Sequence, residues 1–596
     1  MCGIIGAFSW RGSAEPPRQV DVEYARDFMW RRGQDGSGLW SSANGRAMFG
    51  HRRLAIIDLV DRSRQPLSRG PLTIAFNGEI YNYRALRNEL SATGVSFTTE
   101  GDTEVIIALF ERDGPAAFAR LRGMFAVAIF DERDSSLTVA RDPYGIKPLY
   151  LGQSEGQLWF ASQVKALQTI PHISSEPDPA GLTGFHLWGS IPEPFTLYRS
   201  IRALPAGRWQ RFDSDGAGPQ HVFASIAKTL AEAVPGRTAD VEATIAEAIR
   251  DSVAAHLVAD VEVGLFLSAG IDSAALLGTM ATLGGQKVKA ITIGFEEFAG
   301  TRLDEVPLAE RSAQQYGAEH IVERLSNADI DASLEAVLES MDQPSIDGVN
   351  SWFASRAAHR AGLKVALSGL GADELLAGYS TFDSVPALHR RMRLAARLPF
   401  LGALADFGLK HGLSGFDRRH PKAAGVFRHG GTLSGAYFLR RALLIPSRLD
   451  RKLDPDFVRA GLAELRPADR VKESIAPLPH STTAQMMALE SGNYMKNQLL
   501  RDADWSSMAH TLELRVPFVD FETLEKIAPV APWLGARRGK RALAGVPVPP
   551  LDPEIVNRPK SGFSTPLNMR VRGDGAIDSS GSRSWAERVA ANFASA

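Results

Sequence analysis

In the first part of the chain, hydrophobic positions occur in short runs that are separated by polar and turn residues. Apolar runs at 72–76, 124–130 and 137–140 predict strands, because each is short and bounded by turn residues. Apolar residues at helical spacing intervene, for example over 83–93 and 103–112. Strands with segregated helices predict a layered α+β domain over residues 2–212.

In the second part of the chain, the pattern changes to apolar strands that alternate with helices. An apolar strand at 263–267 leads into a helix at 272–282, and further buried strands follow at 288–293 and 363–367. Alternating β and α elements predict an α/β domain with a parallel sheet and right-handed crossovers. This domain is expected over residues 241–570, and its later part is a helical, Arg-rich extension.

Two segments show neither the strand-rich pattern of the first part nor the alternating strand and helix pattern of the second part. Residues 213–240 contain a Gly- and Pro-rich stretch and a second Pro-Gly break, so they are predicted to be a linker. Residues 571–596 begin in a stretch rich in Gly, Ser and Ala, and they are expected to form a poorly ordered tail.

Composition narrows the function classes. The 596 residues include 67 Lys and Arg against 68 Asp and Glu, so we expect no nucleic-acid partner. No apolar run reaches the ~18 residues of a membrane span, and the first residues do not resemble a signal peptide. The single cysteine excludes an intrachain disulfide and a Cys-rich metal site. We therefore expect a cytoplasmic protein without a membrane partner.

That cysteine stands at position 2. Removal of Met1 would place a free α-amine on the residue that carries the thiol, and with pKa values of ~8 and ~8.5 the amine can act as the base of the thiol. The alternative is an incidental cysteine near the terminus. An acyl-transfer site also needs an oxyanion hole and groups that hold the substrate.

Candidates for those groups occur within the next hundred residues. The Asn77 amide and the Gly78 N–H form a suitable donor pair, and Arg53 can pair with a carboxylate. Glu79 and Asp102 can hold an ammonium group. Singly, each has an ordinary structural reading as a turn, a surface charge or a helix cap. Together they predict a site for an α-amino acid.

The motifs of this region resemble the class II glutamine amidotransferase domain. They are Cys2-Gly3-Ile4, Arg32-Gly33 with Asp35, His51-Arg52-Arg53-Leu54, Asn77-Gly78-Glu79 and Gly101-Asp102-Thr103-Glu104. The resemblance implies an N-terminal-nucleophile αββα sandwich in which Cys2 attacks glutamine and Asn77 and Gly78 form the oxyanion hole. It assigns the substrate carboxylate to Arg53 and the ammonium to Glu79 and Asp102.

The match has two departures. Trp30-Arg31-Arg32-Gly33-Gln34-Asp35 stands where the family has Arg-His-Arg-Gly-Pro-Asp, and Gln163 replaces a glutamate. These departures affect local loop structure and leave the nucleophile in place.

A phosphate-binding loop is predicted where the first strand of the second domain ends. Small residues over 267–273 let backbone N–H groups approach an anion at a helix N-terminus. Ser268 and Ser273 can donate to phosphate oxygens, and Asp272 can hold Mg²⁺. The chain contains no Walker A motif. The alternative is a tight turn in which Asp272 caps the helix.

A second loop of the same kind follows the strand at 363–367. Ser368-Gly369-Leu370-Gly371-Ala372-Asp373 again combines small residues with an acid. Loops at the carboxyl edge of a parallel sheet lie close together, so Asp272 and Asp373 are predicted to share magnesium on one pyrophosphate.

The two loops resemble the PP-loop ATP pyrophosphatase domain of glutamine-hydrolysing asparagine synthetases. The resemblance implies ATP and Mg²⁺, and it makes Lys560 a group that stabilises charge on the adenylated intermediate or on pyrophosphate. It also places Leu370, Glu513 and Arg515 in the acceptor pocket. The implied ATP-binding residues are Leu267, Ser268, Gly270, Asp272, Ser273, Ile293, Ser368 and Gly369.

Two positions in these loops depart from the family. Ala269 replaces a glycine. Leu370 stands where many asparagine synthetases have glutamate and β-lactam synthetases have tyrosine. Leucine cannot transfer a proton, so the acceptor pocket is altered.

The implied reaction has two halves. Glutamine is hydrolysed to glutamate and ammonia, and an ATP-adenylated carboxylate, with aspartate as first choice, is converted to an amide with release of AMP and pyrophosphate. A tunnel joins the two sites in the family, and a homodimer is compatible with the resemblance. The first alternative keeps the chemistry but uses another carboxylate, from a secondary-metabolite or polysaccharide pathway. The others are a non-catalytic relative and a lone glutaminase.

Overall fold

The computed structural model describes most of the chain. The described residues are 2–10, 15–154, 156–284, 287–393, 422–535, 537–558, 570–571, 577–578 and 581–594.

The N-terminal domain contains two six-stranded antiparallel sheets. Its strands are β1 Gly3–Ser9, β2 Gly36–Ser41, β3 Ala47–Arg53, β4 Leu67–Arg69, β5 Leu72–Ile80, β6 Gly123–Asp131, β7 Ser136–Arg141, β8 Tyr150–Ser154, β9 Gln157–Ala161, β10 Ile201–Ala203, β11 Arg208–Asp213 and β12 Gly216–Val222. The first sheet has the order β10-β8-β9-β1-β3-β2, and the second has the order β12-β11-β7-β6-β5-β4. Its helices are α1 Gln19–Phe28, α2 Tyr83–Ala92, α3 Asp102–Asp113, α4 Val164–Gln168 and α5 Pro179–Trp188.

Alternation along β1 explains the layering. Ile4 and Phe8 pack between the sheets with residues of the second sheet, such as Phe130. Ile5 points to the other face and packs in the same cluster as Val22 of α1. Helices α2 and α3 cover the outer face of the second sheet. The predicted αββα sandwich is confirmed.

The segment predicted to be a linker begins inside the second sheet. β12, which carries Gly216, Gly218 and Pro219, pairs with β11. It is an edge strand, where proline is tolerated because its missing N–H would face outwards. Helix α6 Ile226–Glu232 then packs Leu230 into the C-terminal core. The linker predicted for residues 213–240 is therefore wrong over β12, and the N-terminal sheet extends to Val222.

The C-terminal domain is built on a five-stranded parallel sheet. Its strands are β13 Val263–Phe266, β14 Lys289–Phe295, β15 Glu319–Leu325, β16 Val365–Leu367 and β17 Glu513–Arg515. The order is β15-β14-β13-β16-β17. The chain builds outwards from β13 through β14 to β15 and then returns to the other side of β13, so β13 and β16 flank the topological switch point. Ligands bind at this point in open α/β sheets.

Helices surround this sheet and form the extension. They are α7 Val241–His256, α8 Ile271–Leu283, α9 Val306–Gln315, α10 Asn327–Ser340, α11 Val349–Arg360, α12 Ala372–Leu375, α13 Thr381–Met392, α14 Ala423–His429, α15 Leu433–Arg441, α16 Pro455–Leu465, α17 Pro467–Glu473, α18 Thr482–Leu489, α19 Arg501–Met508, α20 Phe521–Ile527, α21 Arg538–Ala544 and α22 Pro553–Asn557. A π-helix, Glu490–Leu500, joins α18 to α19.

The segment expected to be a poorly ordered tail contains secondary structure. Two short strands pair at β18 Arg570–Val571 and β19 Ile577–Asp578, and the helix α23 Gly581–Ala594 follows. Trp585 and Val589 of α23 are buried in the C-terminal core. The expected tail is therefore wrong over this helix, because its Trp, Val and Ala residues bury an apolar face. Within the described ranges, no helix is long and apolar enough to cross a membrane.

Candidate active sites

Cys2 lies at the start of β1, in the wall of a cavity of about 420 Å³. Its N–H donates to Asn77 Oδ1 at 2.9 Å, and its thiol donates to the Leu54 carbonyl at 3.9 Å. Burial raises the pKa of the Cys2 thiol, while Arg53 acts to lower it. The sulfur is thus held by the backbone on one side and open to a cavity of substrate size on the other.

The predicted oxyanion donors lie next to this sulfur. Because Asn77 Oδ1 is bound to the Cys2 N–H, the side chain is oriented, and its buried Nδ2 has no hydrogen-bond partner. Gly78 lines the cavity, and a Cβ at this position would lie 2.0 Å from the Met124 carbonyl oxygen. A donor without a partner is costly to bury, so Asn77 is poised to donate to a substrate oxygen.

The predicted amino-acid contacts line the same cavity. Arg53 is held by the carbonyls of Asp58 and Val60, while Glu79 and Asp102 lie on the adjoining wall. Burial raises the pKa of Asp102 to about 6, against the hydrogen bond that its carboxylate accepts from the Ile80 N–H. Burial and Glu513 raise the pKa of Glu79 well above its usual range, and Arg515 opposes them. The structure thus brings together a thiol, a cation and two carboxylates.

The two predicted nucleotide loops meet at the switch point. In the first loop, the Ser268 N–H donates to Ser273 Oγ at 3.0 Å, and the Gly270 N–H donates to Ser268 Oγ at 3.2 Å. In the second, the Leu370 N–H donates to Ser368 Oγ at 3.3 Å. In both loops, serine side chains thus accept hydrogen bonds from backbone N–H groups and stabilise concave turns of the kind that bind phosphate.

Gly369 lets the loops approach each other. A Cβ at this position would lie 2.9 Å from the Cβ of Asp272 and 3.2 Å from the Ser273 nitrogen. Leu267 continues β13 through a hydrogen bond to Ile291 of β14, two residues before the predicted nucleotide contact Ile293. All the predicted ATP-binding residues therefore lie around the carboxyl edge of three adjacent strands.

One cation at this edge was missed from the sequence. Lys540, on α21, places its ammonium in contact with Asp272 and 2.9 Å from Asp373. Burial opposes the charged form, but the two carboxylates outweigh it and raise the pKa of Lys540. Its basic neighbours over 537–541 give no sequence signal that separates it from a surface lysine.

The contacts of Asp272 and Asp373 with Lys540 show whether these two carboxylates are close enough to bind one metal ion. Asp272 and Asp373 reach a common point, so the pair fits Mg²⁺, which is commonly bound by one or two carboxylates together with substrate phosphates. Among the described residues, no group of three or more His, Cys, Asp or Glu side chains could hold a metal. The predicted Lys560 lies outside the described residues.

The three residues assigned to the acceptor pocket occupy two places. Leu370 is partly buried and packs against both hydrophobic clusters of the C-terminal domain. Glu513 and Arg515, on β17, are fully buried and form an ion pair at 2.7 Å. Arg515 also reaches Glu79 of the cavity at Cys2 at 3.4 Å, and its carbonyl accepts the Ser368 N–H at 2.9 Å. Arg515 therefore touches both sites.

A second connection between the domains was also missed from the sequence. Arg32 donates through Nε to the Cys2 carbonyl at 3.1 Å, and its other nitrogens bind Asp504 at 2.8 and 2.9 Å. Arg32 belongs to the Arg-Gly motif noted above, whereas Asp504 lies on α19 of the other domain. A sequence motif shows that an arginine is present but not which acid it meets.

A thiol with an oriented amide donor in one domain, joined through buried charges to a second domain with a parallel sheet, is the arrangement of a two-domain glutamine amidotransferase. Sequence comparison agrees: residues 1–224 match the glutamine amidotransferase domain family, and residues 244–588 match the asparagine synthase family. The chain belongs to the asparagine synthase family and is a glutamine-hydrolysing ligase.

Several relatives span almost the whole chain. A putative glutamine-hydrolysing asparagine synthetase of Mycobacterium tuberculosis is 32% identical, over 96% of this chain and 88% of the relative. Asparagine synthetase 1 of Bacillus subtilis is 31% identical over the same shares. The protein named amidase chry2 of Gibberella zeae is 26% identical, over 95% of this chain and 89% of the relative.

Proposed function

We propose that this ligase hydrolyses glutamine at Cys2 and uses the ammonia to convert an ATP-adenylated carboxylate to an amide, with aspartate as the acceptor and asparagine, AMP and pyrophosphate as products. The observation that carries the proposal is Arg515, whose side chain pairs with Glu79 in the glutamine cavity while its carbonyl holds Ser368 of a nucleotide loop. A single buried residue thus joins two chemically distinct sites.

In the first half-reaction, Arg53 holds the glutamine α-carboxylate, and Asp102 with Glu79 holds the ammonium. The Cys2 thiolate attacks the side-chain amide carbonyl while Asn77 Nδ2 and the Gly78 N–H stabilise the oxyanion. The α-amine accepts the thiol proton and passes it to the leaving ammonia. Water then hydrolyses the thioester to release glutamate.

In the second half-reaction, the loops at Ser268 and Ser368 bind the ATP phosphates, and Lys540 neutralises charge beside Asp272 and Asp373. Magnesium held by the two aspartates would neutralise further phosphate charge. A carboxylate oxygen of the acceptor displaces pyrophosphate from the α-phosphorus. Ammonia then attacks the acyl carbon, and AMP leaves.

Replacement of Cys2 by Ala tests the separation of the two halves. We expect Cys2→Ala to abolish glutamate release and glutamine-dependent amide formation, while synthesis from added ammonium is retained. The measurement is amide formation with each nitrogen source, with a thermal unfolding curve as the control for folding. Loss of ammonia-dependent synthesis in a folded variant would contradict the proposal.

A second candidate keeps this chemistry but changes the acceptor. Leu370 stands at the mouth of the second loop, packed with apolar residues of both clusters, and it cannot bind the ammonium of aspartate. One relative that spans almost the whole chain is named an amidase, amidase chry2, and not an asparagine synthetase. Exchange of labelled pyrophosphate into ATP, measured with a panel of carboxylates, separates the candidates. Exchange with aspartate alone supports the first.

A further inference from the structure

A second cavity lies between the end of α5 and the helical extension. Its volume, measured out to its open mouth, is about 430 Å³, within the range of about 300–1,000 Å³ typical of sites for drug-sized ligands. Trp188, Tyr437 and Tyr494 supply aromatic surface to its wall. The glutamine and nucleotide sites described above do not include these side chains.

The π-helix supplies much of the polar lining. Hydrogen bonds in a π-helix run from i to i+5, so side chains four and five residues apart share a face. Asn493, Tyr494, Asn497 and Gln498 follow this spacing, and all four line the cavity. Such segments are rare and occur frequently at functional sites. The helix is therefore wound to present three amides and a phenol on one surface.

Side-chain contacts connect the cavity wall to the second nucleotide loop. Gln498 hydrogen bonds the carboxylate of Asp347, and the Tyr494 ring lies edge-on to Tyr379 with ring centres 6.1 Å apart. The Tyr379 hydroxyl donates at 2.9 Å to Glu374, the residue after Asp373. Two successive side-chain contacts, Tyr494 with Tyr379 and Tyr379 with Glu374, thus connect the cavity wall to the loop that carries the predicted adenylation site.

Two guanidinium groups, those of Arg441 and Arg470, line the cavity. Arg441 is neutralised by Glu490, with Nη2 2.8 Å from the carboxylate, and it stacks 3.8 Å from the Tyr494 ring centre. Arg470 is half-buried and donates to the carbonyls of Glu193 and Leu465. No carboxylate among the described residues forms an ion pair with Arg470. Its guanidinium also stacks on Phe195, 4.8 Å from the ring centre, and it lines the cavity, where it can pair with a bound anion.

We propose that this cavity holds the body of the acceptor, and that the acceptor is a ring-bearing carboxylate with a second anionic group. The inference rests on the second candidate function, in which the acceptor is a carboxylate other than aspartate, and it specifies the class of that acceptor. One carboxylate faces the second nucleotide loop, the ring lies against Trp188 and Tyr494, and the second anion pairs with Arg470. The amides of the π-helix hydrogen bond polar substituents of the ring.

The chemistry of the step is unchanged by this assignment. The facing carboxylate oxygen bonds to the α-phosphorus of ATP as the bond to pyrophosphate breaks. Ammonia then forms the C–N bond, AMP leaves with the C–O electron pair, and the nitrogen loses one proton to water. The second anion takes no part in bond changes and serves only for binding.

Binding of a matched pair of probes tests the inference on the full chain. Terephthalate carries a ring and two carboxylates, and benzoate is the same ring with one. We expect calorimetric titration in the presence of ATP to show about tenfold tighter binding of terephthalate, the size of one charged hydrogen-bonded contact. Arg470→Gln should bring terephthalate to the level of benzoate and leave benzoate unchanged.

Arg459→Gln is the matched control, because Arg459 is an exposed arginine outside the cavity. Equal binding of the two probes by the wild type, or an Arg470→Gln variant that weakens both equally, would overturn the inference. Pyrophosphate exchange separates this result from failure of the proposed function. Absence of exchange with aspartate and with terephthalate would contradict adenylation itself, whereas exchange with aspartate alone would contradict only the substrate class.

Discussion

Arg32 and Asp504 form a buried bidentate ion pair, with nitrogen–oxygen distances of 2.8 and 2.9 Å, although 472 positions separate them in the sequence. The remaining Arg32 donor, Nε, holds the Cys2 carbonyl. An acid of the C-terminal domain is therefore linked through Arg32 to the backbone of Cys2, the proposed nucleophile of the N-terminal domain. We predict that Asp504 is a positioning residue, because it contacts Cys2 only through Arg32.

Removal of the Asp504 charge tests this relationship. Asp504→Asn should lower kcat/KM for glutamine hydrolysis by about 100-fold, because small misplacements of a nucleophile have effects of this size. Ammonia-dependent synthesis should remain. Arg122→Gln is the matched control, since Arg122 also pairs across the domains, with Asp520, but does not touch Cys2. Equal losses in both variants would show that the effect is structural.

Asp102 predicts how glutamine binding depends on pH. Its pKa of about 6 means that the carboxylate becomes protonated as the pH falls through 6, and a neutral acid no longer attracts the glutamine ammonium. KM for glutamine should therefore rise below about pH 6, while kcat changes less. Steady-state kinetics from pH 5 to 8 measure this. Asp102→Asn should have a raised KM that no longer responds across this range.

Substitution of Lys540 should affect the nucleotide site without affecting glutamine hydrolysis. Lys540→Met removes the ammonium that neutralises two aspartates, so pyrophosphate exchange should fall by about 100-fold, as for loss of one preorganised charge-stabilising donor. Glutamine hydrolysis should be unaffected. Exposed Arg541 on the same helix provides the control variant Arg541→Met. Wild-type exchange in Lys540→Met would show that the contact with the aspartates has no catalytic role.

Glu374 is a candidate to replace the base absent at Leu370. It follows Leu370 by four residues, lies in α12, is buried, and has one carboxylate oxygen without a hydrogen-bond partner. Burial raises its pKa to about 7, with Asp373 adding to the effect. The fraction of Glu374 that is ionised increases as the pH rises through 7. The rate of amide formation from added ammonia should therefore rise over the same range, in addition to the rise caused by deprotonation of ammonium.

Glu374→Gln separates the two steps at that site. Amide formation should fall by about 100-fold, as for loss of a general base, while pyrophosphate exchange persists. Glu374→Asp keeps the carboxylate on a shorter side chain and should recover part of the rate. Parallel loss of exchange and amide formation in Glu374→Gln would instead place Glu374 in nucleotide binding or folding.

The grouping of the predicted contact residues around Cys2 could largely be predicted from sequence, because these residues belong to short local motifs. Cys2, Arg53, Glu79 and Asp102 each stand at the start or end of an element, and the sheets bring these ends together. The nucleotide loops were predictable for the same reason. Strand, small residues and acid form a contiguous signal, and a parallel sheet places two such signals at one edge.

Contacts made late in the chain were not predictable. Lys540 meets Asp272 across 268 positions, and no periodicity or spacing encodes a partner so far away. Composition misled at β12, where glycine and proline suit an edge strand as well as a linker. In α23, glycine and serine obscured an apolar helix face whose partners lie elsewhere in the chain.

The buried charges between the halves of this molecule limit how such enzymes can be recombined. A chimera that joined this first half to a foreign second half would leave Arg32 and Glu79 buried beside unmatched surfaces. Breaking one buried pair costs about 3–5 kcal/mol, a large fraction of the stability of a protein. Domain exchange between relatives would succeed only where the foreign second half supplies an acid at 504 to pair with Arg32 and an arginine at 515 to pair with Glu79.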